Sequence, residues 1–208
     1  MNLFKLNCVL ACLFGLQSAL PAATTTWNSS TAGSLWSVST NWLPTTPAGN
    51  DVVFADVGRT LASTTVGNVV DVNTTISSLA YVNIASWQVT NINSLTTLTL
   101  TGGVGNILSV GRTDSNSLAP VSIQGAGKLV INQSNANLQV SGRNLGKGGY
   151  YALLDMSKLA AFEATLDTIA VGTARSNQFY EGRLNLAVNN TIKASKMLIG
   201  ERGTNTQS

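Results

Sequence analysis

An all-β chain wound as a β-solenoid, a parallel β-helix, is what this sequence predicts, and three observations predict it. First, apolar and polar residues alternate in short runs: VVDVN (69–73), TLTLT (97–101), KLVIN (128–132), NLQVS (137–141) and RLNLAV (183–188). That period of two marks half-buried strands. Second, four segments end alike, in LSVG (108–111), LQVSG (138–142), IAVG (169–172) and MLIG (197–200). Their aligned residues Val110, Val140, Val171 and Ile199 are separated by 30, 31 and 28 positions. Third, no stretch carries a convincing helical period. The nearest, LLDMSKLAAFEATL (153–166), holds helix formers and could carry a single turn around Leu159, but its neighbours read it as strand–turn–strand.

The elements follow in chain order. Residues 1–23 have one early cation (Lys5), an apolar run through Leu16 and small residues at Ala19, Ala22 and Ala23. That order is the signature of a secretory signal peptide, with cleavage near Ala22 or Ala23. Its apolar core is too short to span a bilayer, and no later stretch qualifies. Both cysteines, Cys8 and Cys12, lie inside it, so the mature chain has neither a disulfide nor thiolate chemistry. A lipoprotein reading with acylation at Cys12 would leave an unusually short apolar run. Residues 24–60 are expected to form an N-terminal cap, and residues 61–208 a stack of solenoid coils that ends open, as in a fragment of a longer protein.

Within the stack, LLDMS (153–157) matches RLNLA (183–187), FEA (162–164) matches IKA (192–194), and VSI (121–123) with LVIN (129–132) fills the same places one unit earlier. Each unit is three short strands. Such a unit cannot bury its apolar stripe alone, so units stack and each strand pairs with its counterpart one coil away, at about 4.8 Å. Gly111, Gly142, Gly172 and Gly200 are placed at a corner where a Cβ is unwelcome. A sandwich or closed barrel explains the alternation equally well but gives no reason for a period near thirty. The repeat implies one sharp contact: Glu163 and Lys193 as direct neighbours, with Phe162 beside Ile192.

Three of the four tryptophans, Trp27, Trp36 and Trp42, fall just before the first coil. A solenoid exposes its core at both ends, so large flat side chains there are expected to plug it. A sugar-stacking platform is the competing reading.

The run from Trp27 through LWSVSTNWLPTTPAGNDVVF, then TISSLAYVN and TLTLTGG, resembles the opening of secreted bacterial proteins built from autotransporter-associated β-strand repeats, many of them bearing a PEP-CTERM sorting signal. The resemblance covers roughly residues 27–103. It implies an extracellular or cell-surface β-helix with a structural or adhesive role. This chain departs from that pattern in ending at GERGTNTQS, without a translocating barrel, sorting helix or basic tail.

Composition excludes several functions. Charged residues make up 10% of the chain, and it has no histidine, which removes the commonest general base and transition-metal ligand. Cations and anions are nearly balanced and spread along the chain, which is no nucleic-acid footprint. The densest carboxylate group is Asp155, Glu163 and Asp167, with Lys193 one coil on. A glycosidase or lyase would need such groups to converge, whereas the alternating pattern reads them as solvated outward positions. GRNLGKGG (142–149) lacks the Walker spacing and a following helix. Tyr150, Tyr151, Phe179 and Tyr180, about one period apart, would either grip a glycan or pack loop on loop. The expected protein is a secreted or cell-surface non-enzymatic solenoid with a structural or adhesive role. It has no catalytic, cofactor or metal residues, and its partner is an extracellular glycan or other surface polymer. The alternative is a carbohydrate-active β-helix that binds or cleaves a polysaccharide.

Overall fold

A computed structural model describes residues 22–84, 86–111, 119–144, 152–173 and 179–200, without the side chains of 119, 143, 144, 179 and 180. All of the expected signal peptide except its last two residues lies outside this range. The chain enters through β1 (Thr24–Trp27), β2 (Ser34–Leu35), a 3-10 turn (Ser39–Asn41), β3 (Trp42–Leu43) and β4 (Asp51–Phe54). Five coils follow. They are β5 (Asn68–Val70), β6 (Thr74–Ile76) and β7 (Ser78–Tyr81); then β8 (Gln88–Ile92), β9 (Thr97–Leu100) and β10 (Gly105–Val110); then β11 (Ala119–Asn132) and β12 (Ala136–Val140). After β13 (Gly142–Asn144), the last two coils are β14 (Ala152–Asp155) with β15 (Leu159–Val171), and β16 (Phe179–Asn185) with β17 (Asn189–Ile199).

The coils stack as a three-sided β-solenoid. The first wall holds β1, β4, β7, β10, β12 and the C-terminal halves of β15 and β17, all parallel. The second holds β2, β5, β8, the first half of β11, β14 and β16. The third holds β6, β9, the second half of β11 and the N-terminal halves of β15 and β17. Parallel ladders between residues one coil apart exclude the sandwich and the barrel. Stacking begins with β1 and β4, so residues 24–60 carry the first solenoid strands as well as the tryptophans.

Inward residues form columns. Val110, Val140, Val171 and Ile199 are register partners in succession, as the repeat predicts, and the column continues upstream through Tyr81 to Phe54. Beside it runs Val52, Leu79, Leu108, Leu138, Ile169 and Met197. Each aliphatic side chain removed from water in these columns contributes roughly 1.5–3 kcal/mol. LLDMSKLAAFEATL is strand–turn–strand, split between β14 and β15.

Of the four corner glycines, Gly111, Gly172 and Gly200 have left-handed φ values of 103°, 63° and 62°. Gly142 instead extends into β13, which runs antiparallel to β16 with Gly142 opposite Glu181. At Gly111 a Cβ would sit 2.4 Å from the Ser141 carbonyl oxygen, so the corner excludes a side chain on steric as well as conformational grounds.

Leu95, in the turn between β8 and β9, is the reverse case, with φ of 61° and its side chain 98% exposed. A left-handed leucine costs about 1–2 kcal/mol, part of which glycine returns as unfolded-chain entropy. Leu95→Gly is therefore expected to raise the unfolding free energy by roughly 0.5–1 kcal/mol in urea titration. A loss of stability would show that the leucine holds a contact.

Candidate functional site

The tryptophan segment is the plug and not the platform. Trp27, Trp36 and Trp42 are 1%, 1% and 2% exposed, so no ring face is free to stack on a sugar. Their rings meet edge to face, Trp27 with Trp42 at 4.8 Å and Trp36 with Trp42 at 5.0 Å between centroids. Each indole N–H donates to an oxygen: Trp27 to the Ser29 carbonyl at 2.8 Å, Trp36 to Asn68 Oδ1 at 2.8 Å, and Trp42 to the Trp36 carbonyl at 2.9 Å. Beneath them lies Phe54, and Tyr81 stacks on Phe54 at 5.1 Å. The plug therefore continues into the first coil. Sequence reasoning missed Phe54 and Tyr81 as parts of it, although VVF and LAY repeat the apolar–x–apolar ending of LSV. Burial pushes the Tyr81 phenol above its ordinary range, against the hydroxyl of Thr90 that shares its hydrogen bond at 2.7 Å, so the ring stays neutral.

The acidic residues serve turns and edges. Asp71 accepts from the backbone N–H and hydroxyl of Ser37 at 3.0 and 2.5 Å, tying the cap to the first coil. Asp51 accepts from Ser78 at 2.6 Å, and Asp56 accepts from the Ile84 N–H at 2.9 Å and pairs with Arg59 at 3.2 Å. The structure does not bring together Asp155, Glu163 and Asp167. Asp155 lies on the second wall, Glu163 on the third, and Asp167 near the junction between the third wall and the first, accepting from Thr168 at 3.0 Å. Among the described residues no three His, Cys, Asp or Glu side chains converge as a metal site would require.

Partial burial pushes the Asp155 carboxyl up, but hydrogen bonds from Ser157 and Asn185 and the charge of Lys158 outweigh it and hold the group below its ordinary value. A folded-state value below the unfolded one stabilises the fold above the ordinary carboxylate range. That contribution is lost as pH falls through the folded value. Asp155→Asn is expected to lower the unfolding free energy by about 1 kcal/mol or less at neutral pH, with the gap narrowing as pH falls below the ordinary carboxylate range, in urea titrations across that range. An unchanged gap at low pH would mean that the effect is steric.

The Glu163–Lys193 contact is corrected. Glu163 is opposite Thr191, and Lys193 is opposite Thr165, so the alignment of FEA with IKA is two residues out. Parity survives, and Phe162 and Ala164 still point inward. The offset between the last two coils is 30 at Asp155↔Asn185 and 28 from Ala161↔Asn189 onward. The shorter coil loses its two residues in the turn, where the Val188 N–H bonds the Leu159 carbonyl at 2.9 Å and Asn189 bonds the Ala160 carbonyl at 3.0 Å. Glu163 takes its cation from the preceding coil, accepting from Lys128 Nζ at 2.8 Å. Both groups are about half exposed, so the pair is worth well under 1 kcal/mol.

Around that pair the third wall presents a regular outward grid. One column runs Thr75, Thr99, Val130, Glu163 and Thr191, and its neighbour runs Asn132, Thr165 and Lys193. Side chains of Asn132, Glu163, Thr165, Thr191 and Lys193 line a shallow depression there. Tyr150 and Tyr151 lie outside the described residues, as do the side chains of Phe179 and Tyr180. No helix among the described residues is long and apolar enough to cross a membrane. No family model, curated protein or solved structure matches the chain.

Proposed function

We propose that the protein is a secreted or cell-surface, non-enzymatic β-solenoid with a structural or adhesive role, its third wall facing an extended extracellular polymer such as a glycan. The observation that carries this reading is the outward face of the third wall, which presents one residue per coil in aligned columns, Thr75, Thr99, Val130, Glu163 and Thr191 in one and Asn132, Thr165 and Lys193 in the next. Hydroxyl and amide groups spaced about 4.8 Å apart suit a polymer that offers hydroxyls in series along the solenoid axis. Asp155, Glu163 and Asp167 each accept a hydrogen bond from a nearby side chain or backbone group and do not converge on one site, which favours binding over cleavage. The resemblance of residues 27–103 to autotransporter-associated repeats points to the same compartment and role.

The test is co-sedimentation of the protein with a panel of insoluble polysaccharides, alongside a reducing-end assay. Retention on at least one polymer is expected, weakened about tenfold when Thr99→Lys and Thr191→Lys are combined. Retention untouched by those substitutions would move adhesion off the third wall. Sustained release of reducing ends would overturn the non-enzymatic reading.

A further inference from the structure

We propose that a cleft at the edge between the third and first walls, lined by Asp51, Ser77, Ser78 and Asn106, binds one neutral sugar residue through two adjacent hydroxyls. This site is separate from the outward face of the third wall and does not rest on the polymer reading. The corner from the third wall to the first differs between successive coils. In the first coil it is Ser77 alone, between β6 and β7, whereas in the second it is the four residues 101–104, between β9 and β10. The longer corner starts hard against the shorter one, where the Gly102 N–H donates to the Ser77 carbonyl at 2.7 Å. A Cβ on Gly102 would lie 2.4 Å from that oxygen and 2.7 Å from Ser77 Oγ, so a side chain is excluded there. β10 then carries a bulge between Asn106 and Leu108, and it pairs with β7 only from Leu108 onward. The ladder between β7 and β10 is thus open at Ser78 and Ile107. Bulges recur beside functional sites, where they re-aim a side chain or end the pairing. At this opening lies a cleft of about 270 Å³, close to the lower bound of roughly 300 Å³ for small-molecule sites.

The chemistry of the lining selects the ligand. The lining is almost wholly polar, and it includes no Lys or Arg. Asp51 Oδ1 accepts from the Ser78 hydroxyl at 2.6 Å, while Asp51 Oδ2 has no donor among the described residues. Asn106 donates its amide N–H to Gln139 Oε1, and Asn106 Oδ1 has no donor among the described residues. The Ser77 hydroxyl has no partner among them either. These side chains offer acceptors, so the ligand must bring donors. Adjacent sugar hydroxyls do so, and an ionised carboxylate has room to accept both. A phosphate, sulfate or uronate finds no cation here. Val104 stands 85% exposed in the same lining and offers an apolar contact to the C–H face of a ring. A calcium ion fits poorly, because its affinity follows the charge count of a shell of about six to eight oxygens. Asp51 is the one carboxylate in this lining.

The probes are the methyl glycosides of glucose, galactose and mannose, titrated into the whole protein and followed by NMR. Calcium chloride, then EDTA, is a separate arm read by melting temperature. At least one glycoside is expected to bind in the millimolar range and to bind about tenfold more weakly to Asp51→Asn. That substitution keeps the side-chain shape and an acceptor for Ser78, and a native melting temperature confirms that the protein is folded. Asn106→Ala, at an exposed position, is the second variant and is expected to weaken the same glycoside about threefold or more. Absence of binding by all three below about 50 mM, or an affinity that neither substitution changes, would overturn the proposal. So would stabilisation by calcium that EDTA reverses and Asp51→Asn abolishes, which would make the cleft an ion site. Failure here leaves polysaccharide retention by the third wall unaffected.

Discussion

Trp36→Ala is expected to lower the unfolding free energy by about 3–5 kcal/mol, the usual loss for a buried large aromatic, and to do so from one end of the molecule. Trp36 packs against Trp42 and Phe54 and is the donor to Asn68 Oδ1, a side chain that is itself fully buried. Removing the indole opens a cavity beside the first coil and leaves the Asn68 oxygen without its donor, which adds a desolvation cost of about 1–3 kcal/mol if water does not enter. The corresponding fall in melting temperature is on the order of 10 °C for a chain of this size. Stacked coils are stabilised largely by their immediate neighbours, so the loss should not spread evenly. Amide exchange is expected to quicken first in β2 and β5, while β12 and the buried half of β15 hold their native rates at temperatures below the transition. Uniform acceleration along the chain would contradict the plug. A melting temperature within a degree or two of the native value would contradict it outright.

Gly125→Ala is expected to cost about 3 kcal/mol or more, through backbone geometry and not through lost burial. Gly125 lies inside β11, where the chain passes from the second wall to the third, with φ of 111°. Its N–H donates to the Lys158 carbonyl of the next coil at 3.0 Å, and a Cβ would lie 2.2 Å from the Ile92 carbonyl oxygen of the coil before. The substitution thus strains φ and drives two coils apart at the corner where their backbones come closest. Gly103→Ala is the control, because a Cβ there meets nothing within 4 Å. That change is expected to stay within about 0.5 kcal/mol of the native protein in the same urea titration. If Gly125→Ala unfolded with the native midpoint, the corner would have to be far more yielding than its close carbonyl contacts imply.

These two sites differ in how readable they were. The tryptophans announced themselves by clustering, and burial at an end follows once a solenoid is accepted. Gly125 gave no such sign. It belongs to no repeated ending, and the glycines that do repeat mark the corner after the first wall. What singles out Gly125 is the Ile92 carbonyl, thirty-three residues away in sequence, and only folding brings that oxygen to it. The same distinction runs through the charged residues. Alternation placed Glu163 and Lys193 outward and Phe162 and Ala164 inward, all correctly, because inward and outward differ by one residue and a one-residue slip would bury a charge. Choosing Thr191 over Lys193 as the partner of Glu163 is a slip of two, which keeps every side chain on its proper face.

The amino-acid sequence alone therefore determined the all-β class, the coil of about thirty residues, the inward column from Val110 to Ile199 and the tryptophan plug. Each of these rests on hydrophobic burial, whose cost for an error is several kcal/mol and is written in residue type. The tertiary structure decided the register of the last coil, the Lys128–Glu163 pair and the backbone contact at Gly125. Those depend on turn lengths and on the approach of backbones from distant coils. There the alternatives differ by a two-residue step that the period of a β-strand cannot distinguish.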